Sequence, residues 1–451
     1  MRDDRRPIVI GAGWSGLSCA VELVRQGSKP TVLEAAPQVG GRARMVELDL
    51  AGKRFRVDNG QHLLLGAYRD TLALMQTVGV APSSVFTQSS FAISYPDGWH
   101  LAAKRLPAPW HLALGVAGAR AIRWSHRWAL AQWVQQQRRH DWSVTSDMPA
   151  VDLFASHPAE VTRRLWRPLC LAALNVGLEE ASARVFLTVL RDSLGAEESA
   201  SRLLQPRTDL SSLFPDAAMR WLQNKGADVR LHCTALQVQL LPDQNACRVL
   251  MRDGTHIDGP AVIAVPPDRA AALIDHGQPT LADAIATLRK LRFAPIGTVY
   301  LRYLPTTRLA QPFYALLDDP ARHRYGQWVF DRGALDPALG GIFSVVISGS
   351  GPHLELSRQA LGQHVAAQLS AEFGLPLPLE YFTIVEKHAT IVPVPNLQRP
   401  PTALPAPGLL LAADSAHSPY PSTIEGSVRT GLQAARALAS LATESKLVSL
   451  R

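Results

Sequence analysis

Four residues, Pro7-Ile8-Val9-Ile10, run directly into Gly11-Ala12-Gly13-Trp14-Ser15-Gly16 and then into a stretch rich in Ala, Leu and Val. A strand that turns this abruptly into a helix on three glycines leaves few folds open. Gly11 permits the tight turn, Gly13 lets the backbone approach a pyrophosphate, and Gly16 lets helix and strand pack closely; the amides from Ala12 through Trp14 and Ser15 at the helix start are offered to phosphates. A second apolar strand, Thr31-Val32-Leu33, ends on Glu34-Ala35, which puts a carboxylate at the spacing that accepts hydrogen bonds from an adenosine ribose. A lone glycine turn would be only structural. Flanked by both strands and the acid, it reads as a dinucleotide-binding βαβ unit.

The next residues decide which dinucleotide. Gly40-Gly41-Arg42-Ala43-Arg44 is a second glycine turn, and its Arg42 and Arg44 supply what a flavin pyrophosphate extended across the domain can use for neutralisation. A nicotinamide domain has no need of it. Near the other end, Gly408-Leu409-Leu410-Leu411-Ala412-Ala413-Asp414 reads as a buried strand ending in a carboxylate, and Ser422-Thr423-Ile424-Glu425-Gly426-Ser427 opens a helix whose N-terminus can face the same ligand. The two ends of the chain are therefore expected to build one site, and FAD is the expected cofactor.

These motifs resemble the flavin amine oxidase and phytoene desaturase superfamily. Within it, the segment Val57-Asp58-Asn59-Gly60-Gln61-His62 with its continuation to Tyr68, and the segment from Ala412 through Asp414, His417 and Tyr420 to Ser427, are similar to the hydroxysqualene dehydroxylase family, over the whole chain. The resemblance implies an α/β fold: a discontinuous Rossmann-like FAD-binding domain of the GR2 type, with an inserted α+β substrate domain and a helical cap. Residues 1–70, 211–275 and 396–451 are assigned to the FAD domain, 71–210 to the cap and 276–395 to the substrate sheet. A strand with Val299, Leu301 and Tyr303 alternating against Thr298, Tyr300 and Arg302 belongs to that sheet, and the proline-rich stretch 393–407 is a connector. Asn59, Gly60, Gln61 and His62 would lie near the isoalloxazine, Asp414, Thr423, Ile424 and Glu425 on its other side, and the segment Leu236 to Val238 near the adenine.

The activity implied is reductive removal of an allylic hydroxyl from hydroxysqualene, a C30 isoprenoid, giving squalene on the way to hopanoids. The flavin gives hydride, an unidentified reductant recharges it, and the protein supplies an apolar tunnel and an acid. His62 is the first candidate acid because imidazole titrates near neutral pH; Glu425 and Tyr420 are further candidates, as is His417. Each also has a structural use: Asp58 as a turn cap, Gln61 and His62 as hydrogen-bonders, Glu425 at a helix start. Two other classes remain open, a desaturase or oxidase of another polyprenyl, carotenoid or amine substrate, and a non-catalytic prenyl-lipid carrier, against which the complete flavin motifs speak.

Charge locates a partner. The net charge is +8, and residues 99–142 hold Lys104, Arg105, Arg120, Arg123, Arg127, Arg138 and Arg139 against Asp141 alone, seven minus one or +6, with six of the ten tryptophans. Arg120, Arg123 and Arg127 read as one helical stripe beside Trp124 and Trp128, the pattern of peripheral contact with an anionic membrane; a solvated basic helix whose tryptophans pack inward is the alternative. No nucleic-acid module accompanies it. The scattered histidines suggest no metal. Four cysteines without paired spacing suit a reducing cytoplasm, the start from Met1 to Arg6 does not read as a signal peptide, and no stretch approaches the roughly 18 to 20 apolar residues of a spanning helix. The expected location is the cytoplasm, at the inner face of the cell membrane.

Overall fold

A computed structural model describes residues 6–241, 245–274 and 277–449; Met1 to Arg5 lie outside the described residues. Its centre is a five-stranded parallel sheet in the order Asp228–Arg230, Thr31–Leu33, Ile8–Ile10, Ala261–Ile263, Leu409–Leu411. Four of these strands are wholly apolar apart from Thr31 and buried on both faces, as strands covered on two sides must be. They come from three separated stretches of chain.

Helix Trp14–Arg25 covers one face together with the last helix, Ile424–Ser449. Their approach is close because Gly431 faces Ser15: a Cβ there would stand 2.2 Å from the Ser15 carbonyl. Leu17, Val21, Val428 and Leu432 fill the space with Val9 and Val32. The opposite face is covered by an antiparallel sheet, Ala235–Leu241, Ala246–Met251 and His256–Gly259, through Val238, Val249 and Met251 against Ile8, Ile10 and Ile263.

The inserted sheet runs in the order Phe313–Ala315, Trp328–Asp331, Ile342–Ser348, Phe293–Arg302, Glu380–Ile391, with antiparallel neighbours. Its alternating strand is buried on both sides. Val299, Leu301 and Tyr303 pack with Leu361 and Val365 of helix Arg358–Phe373, while Tyr300 packs with Leu48, Phe55 and Val57. Those last residues belong to a hairpin, Met45–Leu50 with Lys53–Asp58, that the sequence reading passed over although its period-2 apolar pattern was present.

Residues 71–210 are less purely helical than expected. Strands Phe86–Ser89, Ala92–Ser94, His100–Ala102 and Leu203–Pro206 lie among the helices, each too short to display a period. The expected stripe of arginines is also absent. Helix Trp124–Arg139 begins after Arg123, Arg120 is bridged to His100 in the preceding turn, and only Arg127 is helical, its guanidinium turned back onto the carbonyls of Ile122 and Ala117. Of the six tryptophans, Trp99, Trp133 and Trp142 are core residues; Trp110, Trp124 and Trp128 are exposed. Among the described residues, no helix is long and apolar enough to cross a membrane, and all four cysteines are free thiols.

Candidate functional site

The two glycine turns meet. Gly13 and Gly40 pair as a parallel bridge, the Gly40 amide donates to the Ala12 carbonyl at 2.9 Å, and a Cβ on Gly41 would stand 3.1 Å from the Gly13 Cα. At Gly11, φ is +104° and a Cβ would lie 2.6 Å from the Ala264 carbonyl, so only glycine fits. Gly16 and Ala12, expected beside the cofactor, do not line the cavity. A Cβ on Gly16 would lie 1.9 Å from the Gly11 carbonyl, so its role is packing. The Ala12 amide is already taken by Glu34.

Helix Trp14–Arg25 starts with no side-chain cap and no acid in its first turn, which leaves its N-terminal amides for an anion. Trp14 Nε1 is held by the Ala43 carbonyl, and Ser15 Oγ accepts the Ala413 amide at 2.8 Å, tying the first turn to the far C-terminus. Arg42 pairs with Asp414 Oδ2 at 2.7 Å and donates to the Ala389 carbonyl; Arg44 donates to Gly41. Asp414 is buried, and its Oδ1 has no hydrogen-bond partner.

Glu34 Oε2 and Oε1 accept the amides of Ala12 and Ala36, each at 2.8 Å, which fixes the carboxylate at the cavity wall with lone pairs to spare. Ala35 lines the cavity beside it. Val238 does not: it is 1% exposed in the core, and the residues of its strand that face the cavity are Ala235 and Leu236, next to a bulge. Of the segment Leu236 to Val238 expected near the adenine, Leu236 lines the cavity and Val238 belongs to the core.

From the glycine turns the cavity, about 1110 Å³, passes Asn59, Gly60, Gln61 and His62 and continues between apolar walls that include Phe186, Leu190, Phe313, Trp328, Phe330 and Val346. Asn59 and Arg44 exchange backbone and side-chain hydrogen bonds. His62 Nδ1 lies 2.7 Å from the Gly60 carbonyl. A carbonyl can only accept, so Nδ1 carries a proton and Nε2 is left for the cavity. Burial lowers the pKa of His62, opposed by that carbonyl, which removes the premise that an unshifted imidazole supplies the acid.

Under this segment lies a buried polar network that sequence reasoning missed. Arg332, 4% exposed, donates to Gln61 Oε1 and stands 3.9 Å from Asp58 Oδ2; Ser344 reaches the same Gln61 oxygen, and the Tyr300 hydroxyl donates to the Asp58 carbonyl at 2.6 Å. Asp58 Oδ1 accepts the Leu210 amide, Oδ2 has no hydrogen bond, and burial pushes the carboxyl up to about 6 against the pull of Arg332. Arg332 sits in a Gly-Ala-containing turn with no motif around it, so nothing local announces it.

The C-terminal candidates receive structural partners. Glu425 is 2% exposed and accepts from the amides of Asp70 and Thr71, the Thr71 hydroxyl and Arg429 Nε, capping helix Arg69–Thr77. With its oxygens engaged by these donors, Glu425 ties the start of the last helix to helix Arg69–Thr77 while lining the cavity. The Tyr420 hydroxyl donates to Asp192, and Arg429 lies 4.2 Å over its ring. Both Tyr420 and Asp192 line the cavity, as do Thr423 and Ile424. His417 does not. Tyr68, unremarked in the sequence, also faces the cavity, its phenol kept protonated by burial and by the Glu425 charge.

The uncapped amides, a glycine cradle in which a Cβ at Gly11, Gly40 or Gly41 would be crowded and strained, two arginines, Glu34 and the unpartnered Asp414 oxygen are a set of groups that fits FAD. Comparison with known proteins agrees. The model of the flavin containing amine oxidoreductase family matches residues 14–439. The hydroxysqualene dehydroxylase of Sinorhizobium fredii is 30% identical over 95% of this chain and 96% of its own, and that of Rhodopseudomonas palustris 28% identical over 95% and 96%. Cyclohexylamine oxidase from Brevibacterium oxydans shares the fold, with a TM-score of 0.69, 17% identity and coverage of 98% and 99% of the two chains.

Proposed function

The chain belongs to the flavin-containing amine oxidoreductase family and within it to the hydroxysqualene dehydroxylases, and from that premise we propose that it converts hydroxysqualene to squalene by reductive dehydroxylation. The observation that carries this reading is that one cavity is lined both by the FAD cradle and by an extensive set of apolar side chains, with His62 in its wall. In the reaction the allylic C–O bond breaks, a C–H bond forms at carbon, and the oxygen leaves as water with one added proton. Bound reduced FAD supplies the hydride that no side chain can, and a reductant outside this chain replenishes it.

His62 supplies the proton from Nε2 in its imidazolium form. Gly60 fixes the ring by Nδ1, so the ring presents Nε2 without searching for its orientation. Because burial lowers the His62 pKa, the imidazolium is the minor form at neutral pH, and turnover should rise toward acid. Apolar walls orient the polyprenyl chain and keep water from capturing a delocalised cation. We further propose that the enzyme works in the cytoplasm, at the inner face of the cell membrane, a reading supported by a substrate that partitions into bilayers.

The test is an anaerobic assay of the reduced holoenzyme with hydroxysqualene, followed by flavin spectrum and by product mass. Squalene and oxidised flavin in equal amounts are expected. Hydroxysqualene left untouched, with the oxidised holoenzyme instead inserting a double bond into a polyprenyl chain, would replace this reading with a desaturase.

A further inference from the structure

Five large apolar side chains crowd one stretch of the surface that takes no part in that site. Trp110 (61% exposed) and Leu114 lie one turn apart on helix Trp110–Ala117, Trp124 (74%) and Trp128 (67%) one turn apart on helix Trp124–Arg139, and Leu106 lies in the turn before them; the two helices pack on each other. Lys104, Arg105, Arg120 and Arg123 are exposed among them. Among the described residues none of the four has a carboxylate partner. Arg127 lies 4.5 Å over the Trp124 ring and is bound to two carbonyls, so it braces the indole.

We propose that this face docks on an anionic lipid bilayer. Exposed indoles amid unpaired cations suit headgroup depth, where the ring is in an apolar layer and its N–H is wet, and the cations meet lipid phosphates. A protein interface would bury these arginines and require acidic partners for them; a bilayer does not desolvate them. The face is also coupled to the cavity. Strand Ala92–Ser94, whose Ala92 and Ile93 line the cavity, pairs with His100–Ala102, and helix Trp110–Ala117 lies on that second strand so closely that a Cβ on Gly115 would stand 2.6 Å from the Ala102 carbonyl. Docking surface and cavity wall are two sides of one small module. The proposal rests on the lipid-substrate reading for its purpose, though not for its geometry.

The test uses the FAD-loaded protein and phosphatidylcholine vesicles with and without phosphatidylglycerol. Wild type should sediment with the anionic vesicles and be released by salt or by omission of phosphatidylglycerol. Arg120→Glu with Arg123→Glu should weaken partitioning by at least about thirtyfold, about fivefold for each of the two cations lost, with repulsion from the two added carboxylates acting in the same direction. An acid at position 123 stands at a helix N-terminus, where it is tolerated, so loss of fold does not imitate loss of docking. Trp110→Ala, Trp124→Ala and Trp128→Ala combined should release the protein with every cation in place. Both variants should keep their FAD and their turnover of detergent-dispersed hydroxysqualene. Equal partitioning by wild type and variants overturns the proposal, as does a wild type that ignores vesicles and instead dimerises through this face or binds nucleic acid. Vesicle binding that follows the patch while no form turns over the dispersed substrate leaves docking standing and sinks the dehydroxylase reading alone.

Discussion

The two ends of the cavity are built from different material. At the cofactor end the recognition surface is mostly backbone: helix amides, two abutting glycine turns, and a glutamate whose oxygens are oriented by main-chain N–H groups. At the His62 end it is made of side chains drawn together from residues 58–62, 300, 332 and 344, with one buried arginine serving both Asp58 and Gln61. A backbone site tolerates almost no added atom but many changes of neighbour. A side-chain site tolerates added volume poorly too, yet it is far more exposed to the loss of a single partner, because each buried charge left behind must find another or lose its proton.

The largest effect that would test this contrast is at His62. His62→Ala should retain FAD, since the cradle lies elsewhere, and slow single-turnover reduction of hydroxysqualene by roughly a hundred- to ten-thousandfold. Near-normal turnover would pass the proton to Tyr68, Tyr420 or a water. The wild-type rate should rise as pH falls toward the lowered His62 pKa, a trend the variant should lack.

Next comes Arg332→Leu, which leaves the Asp58 carboxylate buried without its cation at a cost of about 3 kcal/mol or more. The sign with pH is defined. Burial pushes the Asp58 carboxyl up to about 6 in the fold, above its unfolded value, so its cost to stability grows as pH rises from the unfolded value to about 6 and is complete above that. Removing Arg332 raises that pKa further, so denaturant midpoints of variant and wild type should diverge at pH 8 and approach each other at pH 5. A gap independent of pH would mean that the arginine acts by packing alone.

The smallest of the three is at the backbone end. Glu34→Ala removes a ribose acceptor and leaves the amides of Ala12 and Ala36 without their partner, at about 1.5 to 3 kcal/mol, so FAD affinity by titration should fall roughly ten- to a hundredfold. Unchanged affinity would remove Glu34 from the site and with it half of the contrast.

The same division governed what the sequence disclosed. Gly11, Gly40 and Gly41 are legible because a backbone conformation and approach that exclude Cβ leave glycine as their written sign, and the strands beside them are apolar runs of the expected length. Within the segment Leu236 to Val238, Leu236 lines the cavity and Val238 packs into the core, a division that alternation along a strand produces and that a family resemblance does not resolve residue by residue. The partners of Glu425 were not foreseen because Asp70 and Thr71 are some 355 residues away. Arg332 is illegible for the same reason: its meaning lies in Asp58 and Gln61, which only the fold brings to it. The tryptophans show the limit of composition, since six similar residues in one segment divide evenly between core and surface.

The closure of the cradle by the C-terminal segment has a consequence for how the protein is made. Arg42 and its partner Asp414 are 372 residues apart, and a ribosome adding about 5 to 20 residues per second separates their appearance by roughly 20 to 70 s. Throughout that interval the first helix has neither Gly431 to lie against nor the Ala413 amide to fix Ser15, and the strand Ala261–Ile263 has an open edge where Leu409–Leu411 will pair. The complete cradle therefore exists only after residues 409–431 have been made.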